Sequence, residues 1–260
     1  MKQFRVLDPN SPERMVCKVC ALAVMTKAPQ AGRVKTRLVP PLTPEDAAEL
    51  NKCFLRDTVA AISVACSRRP AGDASQIELA AAARGIAVYT PIGAEWAYKD
   101  ILPADFSLLP QRGDKFGERL YLAVEDLFKC GFDSVCLIDS DSPTVPAENF
   151  QQAVELLSMS EDRVVLGPSD DGGYYLIGVK KPHQHLFEQI DWSTERVLNQ
   201  TIQRATEIGI EAKLLPTGYD VDDAASLRRL CEELLGGQGD DSAAPITGKF
   251  LARLVAERKL

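Results

Sequence analysis

The chain has 260 residues, 45% of them hydrophobic and 26% charged, which is ordinary for a globular protein with one large α/β domain. Its formal net charge of −7 argues against a general nucleic-acid-binding surface. No apolar run approaches the roughly 20 residues that a membrane span needs. The polar first residues do not form a secretory signal. We therefore expect a cytoplasmic protein with no nucleic-acid partner and no membrane span.

Strand patterns and helix patterns alternate along the chain. After a loose leader over 1–18, short apolar runs predict strands that begin near positions 19, 86, 106, 135, 163, 174 and 211. Periodic apolar spacing and capping residues predict helices over 43–65, 118–129, 146–158, 193–208, 224–235 and 247–258. The stretch 77–84 is ambiguous and favours a helix.

This alternation predicts an α/β fold, with three α/β/α layers around a mostly parallel, Rossmann-like sheet. We expect a single domain over 19–235. A linker and a C-terminal helix would then occupy 236–260. The sequence of this tail leaves open a lid, a docked helix or a dimer contact, so a homodimer is a further partner that it allows.

The stretch 135–143, V-C-L-I-D-S-D-S-P, places four apolar residues directly before two aspartates and a proline. The apolar run is typical of a buried parallel strand, whose carboxyl end opens onto the crevice where α/β sheets bind ligands. Alternate residues of an extended chain point the same way, so Asp139 and Asp141 can direct two carboxylates at one cation. The alternative is a turn that only caps the next helix.

A basic loop, K-A-P-Q-A-G-R-V-K-T-R-L, follows the first buried strand. The residues that we expect to contact phosphate are Lys27, Gly32, Arg33, Lys35 and Arg37. The glycine permits a close turn, and four cations within eleven residues can bind a polyphosphate, whereas single lysines and arginines are usually solvated. The loop is neither G-x-G-x-x-G nor a Walker loop. We interpret it as an anion-binding loop.

Two acidic loops follow later strands. In the first, G-P-S-D-D-G-G-Y over 167–174, the glycines would let a substrate approach the backbone, and the acids would bind hydroxyl groups or assist a metal. A simple hairpin turn is the alternative. The second loop, Y-D-V-D-D over 219–223, again has alternating acids, Asp220 and Asp222, although Asp222 or Asp223 could simply cap the next helix. Oxygen ligands of this kind suit Mg²⁺ or Mn²⁺.

Other candidate sites have less support. Cys17 and Cys20 form a C-x-x-C without a second pair, and Cys20 begins an apolar strand, so we interpret both as structural. His183 and His185 fit a surface turn. Since no serine or cysteine lies in a nucleophile elbow, covalent hydrolysis is not expected. Trp192, in D-W-S-T, is either a packing anchor or an aromatic wall for a substrate.

Five motifs together resemble one known family. They are K-A-P-x-x-G-R-V-K-T-R-L, D-S-P-T-V-P, G-P-S-D-D-G-G-Y-Y-L-I-G, D-W-S-T and D-V-D-D. They are similar to motifs of bacterial glycosyltransferase-A-like proteins, often labelled arsenosugar-biosynthesis or selenodomain-associated transferases. These proteins belong to the nucleotide-diphospho-sugar transferase superfamily, which also holds phospholactate and molybdenum-cofactor guanylyltransferases. The resemblance covers about 21–230.

The resemblance implies the superfamily's fold and a role for each matching residue. Cradling of a nucleotide diphosphate is implied for Gly32, Arg33, Lys35 and Arg37. Asp141 would be the principal metal-facing acid and Asp222 the second. The sugar or acceptor would face Asp170, Asp171, Gly172, Gly173 and Tyr174. Many relatives have Gly-Thr before the Asp where this chain reads I-D-S-D-S-P, so Asp139 is an additional carboxylate.

Three functions are compatible with these residues. The first is a metal-dependent transferase, in which an acceptor hydroxyl attacks the sugar carbon of a nucleoside-diphosphate sugar and Asp170 or Asp171 is the base. The second is a nucleotidyltransferase that couples an NTP to a phosphorylated small molecule and releases pyrophosphate. The third is a non-catalytic nucleotide-binding module.

Overall fold

The computed structural model describes residues 4–11, 18–67, 82–236 and 243–260. Within them, eight strands form one sheet: β1 (Arg5–Val6), β2 (Val19–Lys27), β3 (Ala82–Thr90), β4 (Ser107–Pro110), β5 (Ser134–Ile138), β6 (Arg163–Pro168), β7 (Tyr174–Val179) and β8 (Glu211–Leu214). The α-helices are α1 (Pro44–Ser67), α2 (Phe116–Lys129), α3 (Ala147–Ser158), α4 (Val197–Glu207), α5 (Ala224–Leu235) and α6 (Pro245–Ala256). None of these described helices combines the length and apolarity needed to cross a membrane.

Helices cover both faces of the sheet. On one face, α1 and α3 pack in a core that includes Leu55 and Phe150. On the other face, α2 and α4 pack around Val124 and Ala205. A third apolar cluster joins α5 and α6 to the first half of α1. Among the described strands, only β7 is antiparallel to its neighbours, so the sheet is mostly parallel. Together with the helices on both faces, this confirms the predicted three-layer α/β fold.

The order of the strands creates a crevice at the centre of the sheet. In the order β1-β4-β3-β2-β5-β7-β6-β8, strand β2 pairs with β3 on one side and with β5 on the other. After β2 the chain forms β3 on one side of this strand, and it later forms β5 on the other side. The position between β2 and β5 is therefore a topological switch point. Both the basic loop and the D-S-D stretch begin at this point, because one follows β2 and the other follows β5.

Three boundaries differ from the sequence-based expectation. Ala82–Arg84, expected in a helix, extend β3 and pair with Val19–Ala21 of the central strand β2; pairing outweighs the helix propensity of alanine. Residues 77–81 lie outside the described part of the chain. The helix expected from 193 begins at Val197, because Ser193 has a left-handed φ of 64°. Within the expected loose leader, Arg5–Val6 form β1 and pair with β4.

A carboxylate on α1 anchors the C-terminal helix. Asp57 is 5% exposed and accepts hydrogen bonds from the backbone N–H groups of Ile246 and Thr247, at 3.1 and 2.8 Å. The first turn of a helix leaves such N–H groups without intrahelical acceptors. Asp57 thus caps α6 from another helix, and the tail is a docked helix in this structure.

We expect Asp57→Ala to lower the free energy of unfolding by about 1–3 kcal/mol, because it leaves the buried N–H of Thr247 and the part-buried N–H of Ile246 without this acceptor. Urea denaturation monitored by circular dichroism measures this loss. Asp57→Asn keeps one side-chain acceptor oxygen and should lose about half as much. Equal losses in the two variants would contradict the capping role.

Candidate functional site

Two adjoining cavities lie outside the carboxyl ends of β2 and β5. The first, about 280 Å³, includes the side chains of Lys27, Arg33 and Lys35 in its lining; we call it the basic pocket. The second, about 390 Å³, we call the aromatic pocket. Its lining includes Phe116, Tyr174, Trp192, Asp171, Glu195 and Asp220. Arg37 and Asp222 line both cavities, so the pockets meet at these two side chains.

The basic pocket is shaped by the loop that follows β2. Lys27 is the last residue of β2, and Arg33 and Arg37 are exposed on the loop. Gly32 turns the chain with a φ of 70°, and the N–H of Arg33 donates to the carbonyl of Gln30 at 3.0 Å. A left-handed φ favours glycine. The turn therefore holds two guanidinium groups at the edge of the sheet.

The ammonium of Lys35 lies between two carboxylates. Its Nζ is 2.8 Å from Oδ1 of Asp141 and 2.9 Å from Oδ1 of Asp222, and it donates to the carbonyl of Val221 at 2.7 Å. The side chain is 4% exposed. Burial alone lowers the pKa of Lys35, but attraction to the two carboxylates outweighs it, so the pKa is raised above its usual value. An ammonium has three donors, and these acceptors use all of them. In this structure the Lys35 ammonium binds the two acids, and the side chain also lines the basic pocket.

Negative charge is concentrated beside this lysine. The aspartates that the sequence proposed as metal ligands are Asp139, Asp141, Asp220 and Asp222. Oδ2 of Asp139 accepts a hydrogen bond from Ser142 at 2.8 Å. Burial, and then the charge of Asp141, raise the pKa of Asp139 well above its usual value. Burial, followed by the charges of Asp171 and Asp222, raises the pKa of Asp220. Repulsion from a neighbouring carboxylate favours the neutral form of a carboxyl group.

Asp141 and Asp222 have the chemistry to hold a divalent cation. Oδ1 of each already contacts one cation, the Lys35 ammonium, and the side chains are 35% and 47% exposed. The N–H of Val221 donates to the carbonyl of Asp141 at 2.9 Å, which ties the two acidic loops together. Across the described residues, no group of three or more His, Cys, Asp or Glu is arranged around a metal position. Mg²⁺ commonly takes one or two carboxylates plus substrate phosphates, and this donor set fits that arrangement.

The aromatic pocket has an apolar wall. The rings of Phe116 and Trp192 meet edge to face, with centroids 5.2 Å apart. The Trp192 indole also packs on Gly117, where a Cβ would lie 2.5 Å from Nε1. Trp192 is thus both a packing anchor and a wall of the pocket, the two alternatives that the sequence left open.

The neighbouring acids Asp170 and Asp171 have different surroundings. Asp171 lines the aromatic pocket, and its Oδ1 accepts a hydrogen bond from the N–H of Gly173 at 2.8 Å. Asp170 instead forms an ion pair with Arg229 of α5, whose guanidinium lies 3.7 Å from the ring centroid of Tyr219. The loop that carries both acids connects the antiparallel strands β6 and β7, so it is a hairpin connection as well as part of the pocket wall.

Gly172 allows the backbone at Glu195 to approach the loop between β6 and β7 closely. Its φ is 89°, and a Cβ at this position would lie 2.3 Å from the carbonyl oxygen of Glu195. The N–H of Leu198 donates to the carbonyl of Gly172 at 2.9 Å. Sequence reasoning missed Glu195 and Phe116 as pocket residues; the adjacent D-W-S-T motif was the available signal for Glu195.

Of the described cysteines, four are buried and two are half-buried, and none of them lines either pocket. Sγ of Cys20 is 4.0 Å from Sγ of Cys136, on neighbouring strands, and both are buried. Cys17 lies outside the described residues. The predicted structural role of Cys20 is consistent with this packing.

Comparisons with known proteins give one family match and several structural matches. Residues 74–194, slightly under half of the chain, match the family DUF2064, described as an uncharacterized protein conserved in bacteria. A candidate nucleotide-diphospho-sugar transferase from Desulfovibrio desulfuricans G20 matches with a TM-score of 0.75 and 27% sequence identity, over 93% of this chain and 96% of that chain. No curated protein matches the sequence.

Two further structures match with lower scores. Glucosyl-3-phosphoglycerate synthase from Mycobacterium tuberculosis, in complex with Mn²⁺, UDP and glucosyl-3-phosphoglycerate, has a TM-score of 0.48 and 11% identity, over 93% of this chain and 80% of that chain. The 4-diphosphocytidyl-2C-methyl-D-erythritol synthase from Anaerococcus prevotii DSM 20548 has a TM-score of 0.49 and 12% identity, over 82% and 94% of the two chains.

The chain has an α/β fold similar to that of the candidate nucleotide-diphospho-sugar transferase from Desulfovibrio, with two adjoining pockets at its switch point. The resemblance that the five motifs predicted is confirmed, since the Desulfovibrio protein is similar in sequence and fold over nearly the whole chain. This similarity supports the prediction that the chain is an enzyme of the transferase class.

Proposed function

We propose that this protein transfers a sugar from a nucleoside-diphosphate sugar to a hydroxyl group of a small-molecule acceptor. The observation that carries the proposal is the pair of adjoining pockets. The basic pocket offers Lys27, Arg33 and Arg37 to a diphosphate, and the aromatic pocket offers Asp171 to an acceptor. They join at Arg37 and Asp222, where the transferred sugar would lie.

The basic pocket supplies what a departing diphosphate needs. The guanidinium groups of Arg33 and Arg37 match the geometry of phosphate oxygens, and fixed cations that face developing negative charge lower the barrier. Mg²⁺ or Mn²⁺ bound to Asp141 and Asp222 would add Lewis-acid stabilisation of the leaving group. Lys35 holds these two carboxylates in position before a substrate binds.

Of the two bases that the sequence suggests, Asp171 is the one that lines the aromatic pocket and could accept the proton of the acceptor hydroxyl. It lines the aromatic pocket, and its orientation is fixed by the hydrogen bond from Gly173. A carboxylate within hydrogen-bond reach of a bound hydroxyl acts as a general base. Asp170, the other candidate from the sequence, is held by Arg229 instead.

Product analysis tests this function against the two alternatives. The protein is incubated with nucleotide sugars or NTPs, with and without Mn²⁺, and with small hydroxylated acceptors. Metal-dependent release of NDP from a nucleotide sugar is the expected result. Pyrophosphate release from an NTP and a phosphorylated acceptor would establish nucleotidyl transfer instead. A metal-dependent thermal shift without turnover across the panel would indicate a nucleotide-binding module.

The same thermal-shift assay tests the proposed role of Asp141. We expect Asp141→Ala to lose the extra stabilisation that Mn²⁺ gives in the presence of a nucleotide, because one of the two metal-facing carboxylates is gone. If the variant and the wild type gain the same metal-dependent stabilisation, Asp141 does not hold the cation.

Neighbouring substitutions test the base. Asp171→Asn should lower kcat by a factor of about 10²–10⁴, the usual contribution of general-base catalysis, with little change in the KM of the donor. The matched substitution Asp170→Asn, one position away, should cost far less, because Asp170 pairs with Arg229 on the surface. Similar losses in kcat from both substitutions would contradict the assignment.

A further inference from the structure

We infer that the acceptor is a neutral or cationic molecule with an apolar ring or chain beside its hydroxyl group, and that it carries no phosphate or carboxylate group. This inference rests on the proposed function, because it assigns the aromatic pocket to the acceptor. It follows from the charge of the pocket walls, from the exposed aromatic surface and from the position of the basic pocket.

The charged residues that line the aromatic pocket are mostly acidic. Its acidic lining residues are Asp139, Asp171, Glu195, Asp220 and Asp222. Among the described residues, Arg37 is the single basic residue of this lining. It lies at the junction with the basic pocket. Lys35 contacts Asp222, so its cation is directed to the junction as well. An anionic group in the pocket would face the carboxylates of Asp171 and Glu195, and like charges across a binding surface weaken association.

The aromatic pocket has room and apolar surface for a ring. Phe116 is 49% exposed although it packs against Trp192. Met25, Leu137 and Ile177 also belong to the apolar lining. A ring placed against aromatic side chains buries apolar area, and the faces of these side chains also attract cations. The volume of about 390 Å³ is within the usual range for small-molecule sites.

The two pockets separate substrates by charge. A diphosphate has cations to bind in the basic pocket, whereas an acceptor with its own phosphate would compete for those cations. Placing acids around the acceptor excludes that competitor and leaves the basic pocket to the donor. Specificity of this kind depends on repulsion of the wrong ligand as much as on attraction of the right one.

The fluorescence of Trp192 can report on binding in the aromatic pocket. The chain has two tryptophans. The other, Trp96, is 68% exposed and lines neither of the two pockets. Trp96→Phe therefore makes Trp192 the single tryptophan. This variant is titrated with three probes that share one scaffold and differ in charge: phenyl glucoside, 4-aminomethylphenyl glucoside and 4-carboxyphenyl glucoside.

We expect saturable changes in emission with the neutral and cationic probes, and binding of the carboxyl probe that is weaker by about tenfold or more. Adding Asp171→Asn and Glu195→Gln should reduce the difference between cationic and anionic probes to about threefold, because two pocket charges are removed. Asp100→Asn with Glu188→Gln removes the same charges from exposed positions outside the pocket and should leave the difference unchanged.

Binding of the carboxyl probe as tight as that of the neutral probe would overturn the inference, and so would the absence of a saturable change with any probe. These outcomes are independent of turnover. Failure of the proposed function would instead appear as the absence of NDP release in the product analysis.

Discussion

Lys35→Met should lower the free energy of unfolding by about 2–3 kcal/mol. Removing one partner from a fully buried ion pair costs about 3–5 kcal/mol. The Lys35 side chain is 4% exposed, but Asp141 and Asp222 are 35% and 47% exposed, so solvent screens part of the loss. Methionine keeps the length of the side chain and removes its charge. Denaturant unfolding measures the effect.

Two further measurements identify the cause of this loss. The double variant Lys35→Met/Asp222→Asn should recover part of the stability, because it removes one of the carboxylates that lost its cation. Mn²⁺ should raise the melting temperature of Lys35→Met more than that of the wild type, since the carboxylates no longer share an internal ammonium. Wild-type stability in Lys35→Met would show that the ion pairs contribute nothing to folding.

Gly172→Ala should have a comparably large effect, a loss of about 2–4 kcal/mol in the free energy of unfolding. A φ of 89° is strained for alanine, and the new Cβ would lie 2.3 Å from the carbonyl oxygen of Glu195. This atom belongs to the backbone, so the turn beside Trp192 must move. Denaturant unfolding measures the loss, and the emission of Trp192 in the Trp96→Phe background reports the movement.

The adjacent glycine is a matched control. At Gly173, a Cβ would lie 3.1 Å from Oδ1 of Asp171, which is the end of a flexible side chain. Gly173→Ala should therefore cost less than about 1 kcal/mol. If both substitutions lower the free energy of unfolding equally, close approach of the backbone does not explain why position 172 is a glycine.

The features that could be predicted from the sequence are those that local chemistry determines. The apolar run of β5, ended by acids and a proline, indicated a buried strand without reference to the rest of the chain. The same is true of the helix start at 43–46, where a threonine, a proline and two acids occur together. By contrast, Ala82–Arg84 favour a helix locally, and pairing with a strand far away in the sequence makes them extended.

The candidate site shows the same division. The sequence predicted that polar residues follow β2, β5 and β6, and the strand order brings these loops together at one crevice. The sequence could not predict the hydrogen-bond partners of Lys35, because the carbonyl that accepts from its ammonium belongs to Val221, 186 positions away. Nor could it separate Asp170 from Asp171, since the difference comes from Arg229, 59 positions further along the chain.

The apolar cluster shared by α1, α5 and α6 has a consequence for synthesis of the protein. Its members include Leu38 of the basic loop and Tyr219 and Val221 of the last acidic loop, packed against Leu251 of α6. The support beneath the site is thus built from an early and a late part of the described chain. A nascent chain on the ribosome would carry the cations and the acids of the site before α6 has emerged. We therefore expect it to gain affinity for a nucleotide only when α6 can dock.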